Sequence, residues 1–207
     1  MDNRFEFQRL FPNLQWEVVM KMGDRELVNL CRSSNAMENF CNTRDWFWQE
    51  RIKSQFGIDV QYNPTVQRML RKNGESWFRV YFILLRLNKL KDKLSPHLNR
   101  YSLTELYNRQ VLWLNGKQLT EIPESIGQLV NLEELYLAGN KLSEIPESIG
   151  QLVNLQFLFL SNNPLVELPD SIGQLVNLKE LGLYKTRLRF PDRIQQLLPN
   201  TKITFQL

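Results

Sequence analysis

The stretch PESIGQLVNLEELYLAGNKLSEI, from Pro123 to Ile145, is followed by two close copies of itself that start at Pro146 and Pro169. The octapeptide SIGQLVNL is identical in all three copies, which begin 23 residues apart, and a weaker copy precedes them from about residue 100. A fixed period of this length indicates a chain that stacks one structural unit on the next. The repeat therefore decides the fold of the C-terminal half.

Each copy carries the frame LxxLxLxxNxL, and its apolar positions predict where each unit is buried. The frame occupies Leu132, Leu135, Leu137, Asn140 and Leu142, then Leu155, Leu158, Leu160, Asn163 and Leu165. Leucines at alternate positions of a short strand point to one side, where the neighbouring units cover them. The spacing of Ile126, Leu129 and Leu132 predicts a tight helical return after each proline.

This frame is similar to that of the leucine-rich repeat, and the octapeptide SIGQLVNL resembles the IPxxIGxLxxL class of such repeats found in intracellular plant, amoebal and bacterial proteins. The resemblance implies an α/β fold, a short solenoid with a parallel concave sheet, and protein binding rather than catalysis. We expect four units over residues 100–190. Residues 191–207 are expected to form a C-terminal cap, because an uncapped solenoid exposes an apolar end.

The positions that differ between copies are the ones expected to face outward on the concave sheet. Side chains alternate along a strand, so the residues between the inward leucines form columns across the units. The predicted partner-binding face consists of Val111, Trp113, Glu134, Tyr136, Phe157, Phe159, Glu180 and Tyr184. Aromatic residues are enriched at binding hot spots. The alternative is that these rings only pack on one another or under the N-terminal helices.

The sequence predicts a small helical domain over residues 8–57, with apolar residues throughout that form its core. The chain there reads Phe11-Pro12, then DRELVNLC from Asp24, and a closing Phe47-Trp48. These features resemble the F-box, particularly F-box-like modules of large DNA viruses of protists. The matching residues are Asp24, Leu27, Asn29, Leu30, Cys31, Asn35, Cys41, Asn42, Phe47, Trp48, Phe56 and Gly57. Where the F-box motif usually has Leu-Pro, this chain has Phe11-Pro12.

The F-box resemblance implies docking on the Skp-type adaptor of a cullin-RING ubiquitin ligase. The residues it assigns to that contact are Phe11, Pro12, Leu14, Val18, Leu27 and Leu30. The chain is then the substrate-recognition subunit of a Skp/cullin/F-box ligase, holding an unknown target protein on its concave face. A viral source is one of the origins this resemblance implies. The alternative is a stand-alone binding scaffold whose N-terminal helices only cap the solenoid.

Residues 58–99 are expected to form a helical linker, because ESWFRVYFILLRLNKLKDKL has apolar residues along one helical face. Positive charge is concentrated in the first half of the chain, since residues 1–108 hold 17 Lys and Arg against 12 Asp and Glu. We interpret the basic side of the linker helix as a solvated face, so neither a nucleic-acid nor a membrane partner is expected.

Neither a catalytic residue nor a metal or cofactor is expected. The single histidine, His97, has no cluster of Cys or acidic residues near it in the sequence. A ligase of the bacterial leucine-rich-repeat type needs a nucleophilic cysteine after the repeats, whereas Cys31 and Cys41 precede them. The N-terminus lacks the apolar core of a signal peptide. We therefore expect an intracellular, cytoplasmic protein, in the host cytoplasm if viral, with both cysteines reduced and buried.

Overall fold

A computed structural model shows the chain as two compact units that divide between residues 83 and 84. The residues it describes are 19, 22, 24–35, 37, 41, 45–74, 76–189 and 191–205. The helices of the N-terminal unit are α1 Asp24–Cys31, α2 Asp45–Phe56 and α3 Pro64–Lys72, followed by α4 Trp77–Lys93, within which the division falls. None of the helices in these described ranges is long and apolar enough to cross a bilayer.

The core of the N-terminal unit is built around Trp48. Its ring centroid lies 5.1 Å from that of Phe78 and 5.2 Å from that of Tyr81, so aromatic contacts join α2 to α4. Arg51 is buried beside them, and its Nε donates to the Tyr81 hydroxyl at 3.3 Å. A buried guanidinium is tolerated because such hydrogen bonds replace those it loses to water. The helical character predicted for this region is confirmed.

Cys31 and Cys41 form a disulfide, with their Cα atoms 5.8 Å apart. The prediction that both thiols are reduced is therefore wrong, although both residues are buried as expected. That prediction rested on the pattern of the N-terminal sequence, which carries no information on whether two cysteines ten residues apart are brought together by the fold.

The linker region contains α3 and α4, and the predicted helix over residues 75–94 corresponds to α4. Asn63 caps α3 by accepting hydrogen bonds from the amides of Thr65 and Val66, each at 3.1 Å. The apolar face of α4 is buried, whereas Arg79, Arg86, Lys89 and Lys93 are exposed. This distribution is the one expected for an amphipathic helix with a solvated basic face.

The C-terminal unit contains a five-stranded parallel sheet in the order β1-β2-β3-β4-β5. Its strands are β1 Val111–Trp113, β2 Glu134–Tyr136, β3 Phe157–Phe159, β4 Glu180–Gly182 and β5 Lys202–Thr204. Three 3₁₀ helices return the chain between the strands, at Glu124–Gln128, Glu147–Gln151 and Asp170–Gln174. The predicted parallel sheet and tight helical returns are both confirmed.

The inward leucines of successive strands lie side by side in the core, where Leu112 pairs with Leu135 and Leu158 with Leu181. All four are buried. Asn140 satisfies the buried turn beside them. Its Oδ1 accepts from the amides of residues 117 and 119, and its Nδ2 donates to the carbonyls of residues 114 and 137, at 2.7–3.1 Å. The repeated asparagine therefore replaces the backbone partners that the turn lacks.

The invariant octapeptide allows neighbouring returns to approach closely. A Cβ atom built on Gly150 would lie 2.5 Å from the carbonyl oxygen of Ser171 in the next 3₁₀ helix, which only glycine avoids. The asparagine of the same octapeptide links units as well. Asn154 Nδ2 donates to the carbonyl of Val130 at 2.7 Å. These contacts explain why the octapeptide does not vary between copies.

The two ends of the repeat region differ from its central units. At the N-terminal end the return is a short α-helix, α5 Leu103–Tyr107, which begins with a capping box between Ser102 and Glu105. At the other end the predicted cap contains α6 Pro191–Leu197 and the fifth strand β5, and the Thr201 hydroxyl donates to the carbonyl of Leu178 at 2.9 Å.

Candidate functional site

The concave face of the sheet consists of the outward side chains of β1 to β4 and of the residues just after them. The strand register places Val111, Glu134, Phe157 and Glu180 in one column, and Trp113, Tyr136, Phe159 and Gly182 in the next. Each strand is paired in register with its neighbours, and this pairing holds the outward side chains in fixed positions. The eight residues predicted for the face lie on it, with Tyr184 just beyond β4.

Three aromatic rings in the second column form a continuous stack. The Trp113 and Tyr136 ring centroids are 3.8 Å apart with 5° between the ring planes, and the Tyr136 and Phe159 centroids are 5.1 Å apart with 17° between the planes. Trp113 is at the open end of this aromatic stack and keeps 53% of its surface exposed. A tryptophan held by stacking has a rigid apolar surface, and exposing that surface to water is unfavourable in free energy.

The aromatic stack ends at Gly182. A Cβ atom at this position would lie 2.7 Å from Cδ1 of Phe159, so the Phe159 ring occupies the space where a side chain of β4 would stand. Gly182 is buried beneath it. The stack thus has a closed end at β4 and an open end at β1.

The carboxylates of the face are engaged with neighbours inside the protein. Glu134 Oε2 accepts a hydrogen bond from the Tyr136 hydroxyl at 2.7 Å, and this bond raises the pKa of Tyr136 because it favours the protonated phenol. Glu180 pairs with Lys202 of β5 at 3.2 Å. The remaining members of the first column, Val111 and Phe157, are half-buried.

Sequence reasoning missed a second row of polar residues, one just before each of the strands β1 to β4. We call it the edge row, and it consists of Gln110, Glu133, Gln156 and Lys179. Gln110 Nε2 and Gln156 Nε2 donate to the two carboxylate oxygens of Glu133 at 2.8 and 3.2 Å, and Lys179 Nζ donates to Gln156 Oε1 at 2.7 Å. With Asn131, Asn154 and Asn177 they line a groove of about 480 Å³. Their 23-residue spacing was the signal that could have identified them.

Tyr184 closes the far end of the face. Its ring is half-buried, and the ammonium of Lys185 lies 5.1 Å from the ring centroid. The backbone amide of Tyr184 donates to the Ser161 hydroxyl at 3.1 Å, so the strand-to-loop junction is held in place. Within the ranges the structure covers, no group of three or more His, Cys, Asp or Glu residues is arranged to hold a metal ion.

Of the six residues predicted for adaptor contact, the structure describes only Leu27 and Leu30. Phe11, Pro12, Leu14 and Val18 lie outside the described residues. Leu27 is only 1% exposed on α1, so its side chain belongs to the core of the N-terminal unit, and Leu30 is half-buried on the same helix. Of the six, Leu30 is the described residue with surface available to a partner.

A family profile for the leucine-rich repeat region matches residues 71–202, which is more than half of the chain. No curated protein matches the chain.

Solved structures resemble the chain over part of its length. A leucine-rich repeat protein of Leptospira interrogans is 36% identical over 42% of this chain and 29% of its own, with a TM-score of 0.36. An internalin of Listeria monocytogenes is 23% identical over 59% of this chain and 38% of its own, with a TM-score of 0.47. Internalin C2 of the same organism is 23% identical over 57% and 54%, with a TM-score of 0.44. The matched regions thus span 29–54% of those structures' own length.

Proposed function

This chain belongs to the leucine-rich repeat family, and on that premise we propose that it is a protein-binding scaffold whose concave face captures a partner protein. The observation that carries the proposal is the aromatic stack of Trp113, Tyr136 and Phe159, with the open Trp113 face at one end. A partner that covers this face gains apolar burial without having to order the rings first.

The electrostatics of the face support a protein partner. Glu134 and Glu180 are both hydrogen-bonded within the chain, so a partner does not have to neutralise a bare carboxylate in order to cover them. The edge row offers amides, one ammonium and the carboxylate of Glu133, which is bonded to two of the amides, and this suits the polar periphery of a protein interface. An apolar centre with a polar rim is the usual arrangement of a binding surface.

The test is affinity capture from the native cell with the wild-type chain and with a Trp113→Ala, Tyr136→Ala double variant. We expect the variant to stay folded, because both rings project from the outer side of the sheet, and to lose the captured protein. The matched control is Val153→Ala with Val176→Ala, which removes exposed apolar side chains that are not on the concave face. Equal capture by wild type and aromatic variant contradicts the proposal, and unfolding of the variant assigns the rings to the core instead.

The F-box resemblance supports a second and finer candidate, a substrate-recognition subunit of a Skp/cullin/F-box ubiquitin ligase. What favours it is that the N-terminal unit has a core of its own, with Leu27, Phe47, Trp48 and Ile52 buried. In that role the N-terminal helices recruit the ligase and the concave face holds the target. Without it, the chain is a stand-alone scaffold with the same binding face.

Co-purification with a Skp-type adaptor separates these two candidates. The informative variant is Leu30→Asp, because Leu30 is half-buried, whereas an aspartate at the buried Leu27 would disrupt the core. Asn29→Asp, at an exposed position of the same helix, is the matched control for added charge. Adaptor binding that survives Asn29→Asp and is lost in a folded Leu30→Asp variant supports the ligase subunit. If the folded wild type binds no adaptor, the ligase-subunit proposal is contradicted and the chain is a stand-alone scaffold.

A further inference from the structure

A groove of about 380 Å³ lies beside the open end of the aromatic stack. It is lined by Pro96, His97, Arg100, Trp113, Asn115 and Lys117, all within the C-terminal unit. Trp113 is therefore shared between the concave face and this groove. We call it the Trp113 groove.

Every polar side chain that lines the Trp113 groove can donate a hydrogen bond, His97 can also accept one, and no carboxylate is among them. The oxygen of Asn115 already accepts the amide of Ala138 at 2.8 Å, so the group it can offer a ligand is its NH₂. Arg100 and Lys117 carry fixed positive charge, and Arg100 is held with its guanidinium 4.8 Å from the Tyr101 ring centroid. Two fixed positive charges and no carboxylate among the lining residues favour a ligand that brings acceptors and negative charge.

Charged groups occur along the whole face, but most of those near the sheet are paired. On β4 the carboxylate of Glu180 is paired with Lys202, on β2 that of Glu134 is bonded to Tyr136, and beyond β4 the ammonium of Lys185 lies against the Tyr184 ring. The Trp113 groove is lined by two cations, Arg100 and Lys117, and by no carboxylate. A partner carboxylate placed in this groove therefore meets opposite charge and no like charge among the lining residues.

We propose that the Trp113 groove receives an acidic segment of the partner protein. A carboxylate of that segment pairs with Arg100 or Lys117, and a neighbouring apolar side chain packs on the exposed face of Trp113. This inference rests on the proposed function, because it specifies the partner chemistry of the same face. Charge-assisted hydrogen bonds to arginine and packing on tryptophan then act together in one site.

A peptide fits these features better than a nucleic acid. An extended polyanion that stacks its bases on Trp113, Tyr136 and Phe159 would bring phosphates past the neighbouring column, where the Glu134 carboxylate is bonded to the Tyr136 phenol. Like charges meet there, which opposes binding. A protein segment can place one or two carboxylates in the groove and continue over the rest of the face with neutral side chains.

The test pans one random peptide library against three immobilised full-length chains. These are the wild type, an Arg100→Glu, Lys117→Glu variant, and an Arg187→Glu, Arg189→Glu control that makes the same charge change at exposed positions outside the groove. Far-UV circular dichroism and thermal midpoints establish that all three are folded. Fluorescein-labelled oligo-dT and inorganic phosphate are the competing probes.

We expect wild type and control to select peptides enriched in Asp and Glu beside an apolar residue, and the groove variant to bind those peptides at least about tenfold more weakly. Peptides no more acidic than the library, unchanged binding by the groove variant, or displacement by oligo-dT or phosphate overturns the inference. The same peptides tested on the Trp113→Ala, Tyr136→Ala variant separate the two proposals. Non-acidic peptides that need both rings leave the proposed function standing, whereas binding that needs neither ring removes it.

Discussion

Phe159 lies over Gly182 of the neighbouring strand so closely that a Cβ atom on Gly182 would stand 2.7 Å from the Phe159 ring. The position of the aromatic stack therefore depends on a residue that makes no side-chain contact of its own. Without this space, the Phe159 ring has to turn, and Tyr136 loses the neighbour that stacks on its second face.

We expect Gly182→Val to displace the Phe159 ring and to lower the free energy of unfolding by about 1–3 kcal/mol, the usual cost of overpacking. Urea unfolding gives the free energy, and near-ultraviolet circular dichroism reports the change in the stack. Thr204→Val, the next position of the same column on β5, is the control, since Thr204 is exposed. An unchanged aromatic spectrum in the Gly182 variant contradicts this account.

A second prediction concerns the glycine of the octapeptide, which occurs in two different settings. Gly150→Ala is expected to lower the free energy of unfolding by about 2 kcal/mol or more, because the new methyl would meet the Ser171 backbone at 2.5 Å. Gly173→Ala is expected to change it by less than about 1 kcal/mol, because the nearest atom there is 3.5 Å away on Leu197. The two urea midpoints decide the matter, and equal effects would show that stacking of the returns is not the reason for the glycine.

Asn140→Ala is expected to lower the free energy of unfolding by about 2–4 kcal/mol, because it leaves several buried backbone groups without partners. The equivalent position one unit before the cap is Thr186, whose hydroxyl donates to the Leu183 carbonyl at 2.9 Å. Thr186→Val should cost only about 1 kcal/mol, since one hydrogen bond is lost. If both variants lower the free energy of unfolding by the same amount, the hydrogen bonds of Asn140 do not stabilise the turn more than the single bond of Thr186 does.

The hydrogen bond from Tyr136 to Glu134 gives a prediction for alkaline pH. Because the pKa of the Tyr136 phenol is raised in the folded protein, the stability it adds is fully present below the ordinary value of 10.0. That stability is lost as the pH rises through the raised pKa. Ultraviolet titration of wild type minus Tyr136→Phe should show this phenol ionising later than a free tyrosine.

Glu134→Gln is expected to move the Tyr136 transition back toward the ordinary value, because it replaces the charged acceptor with a neutral one. Glu180→Gln, which removes a carboxylate of the same column that is paired with Lys202, is the matched control. A Tyr136 transition that does not move in the Glu134 variant assigns the shift to something other than the hydrogen bond.

The arrangement of the repeats could be predicted from the sequence because a strand has a period of two residues and the units a period of 23. Those periods place Leu135 inside and Tyr136 outside. They do not give the direction in which a ring leans along the sheet, so the contact between Phe159 and Gly182 was not predicted. The hydrogen bonds of Glu133 were missed for a related reason. A spacing that repeats along the chain shows which residues become neighbours, but not which of them form hydrogen bonds with each other.

The N-terminal unit shows the other limit of sequence reasoning. Its apolar pattern predicted helices and a core, and Phe47 and Trp48 are indeed buried there. The same pattern does not separate core residues from contact residues, so Leu27 was assigned to a docking surface although the structure buries it. The pairing of Cys31 with Cys41 was missed because a spacing of ten residues in the sequence does not show that the fold brings the two Cα atoms within 5.8 Å.

The close stacking of identical octapeptides has a consequence for how such a chain changes length. In successive 3₁₀ returns the glycine of one return packs against the serine of the next, as Gly127 does on Ser148 and Gly150 on Ser171. A duplicated unit of 23 residues inserted at either of these junctions would repeat the same contact. Growth or shortening by whole units leaves every internal junction intact. The length of this solenoid is therefore fixed by its dissimilar ends, α5 and the α6–β5 segment, and its recognition surface can be enlarged without redesigning the fold.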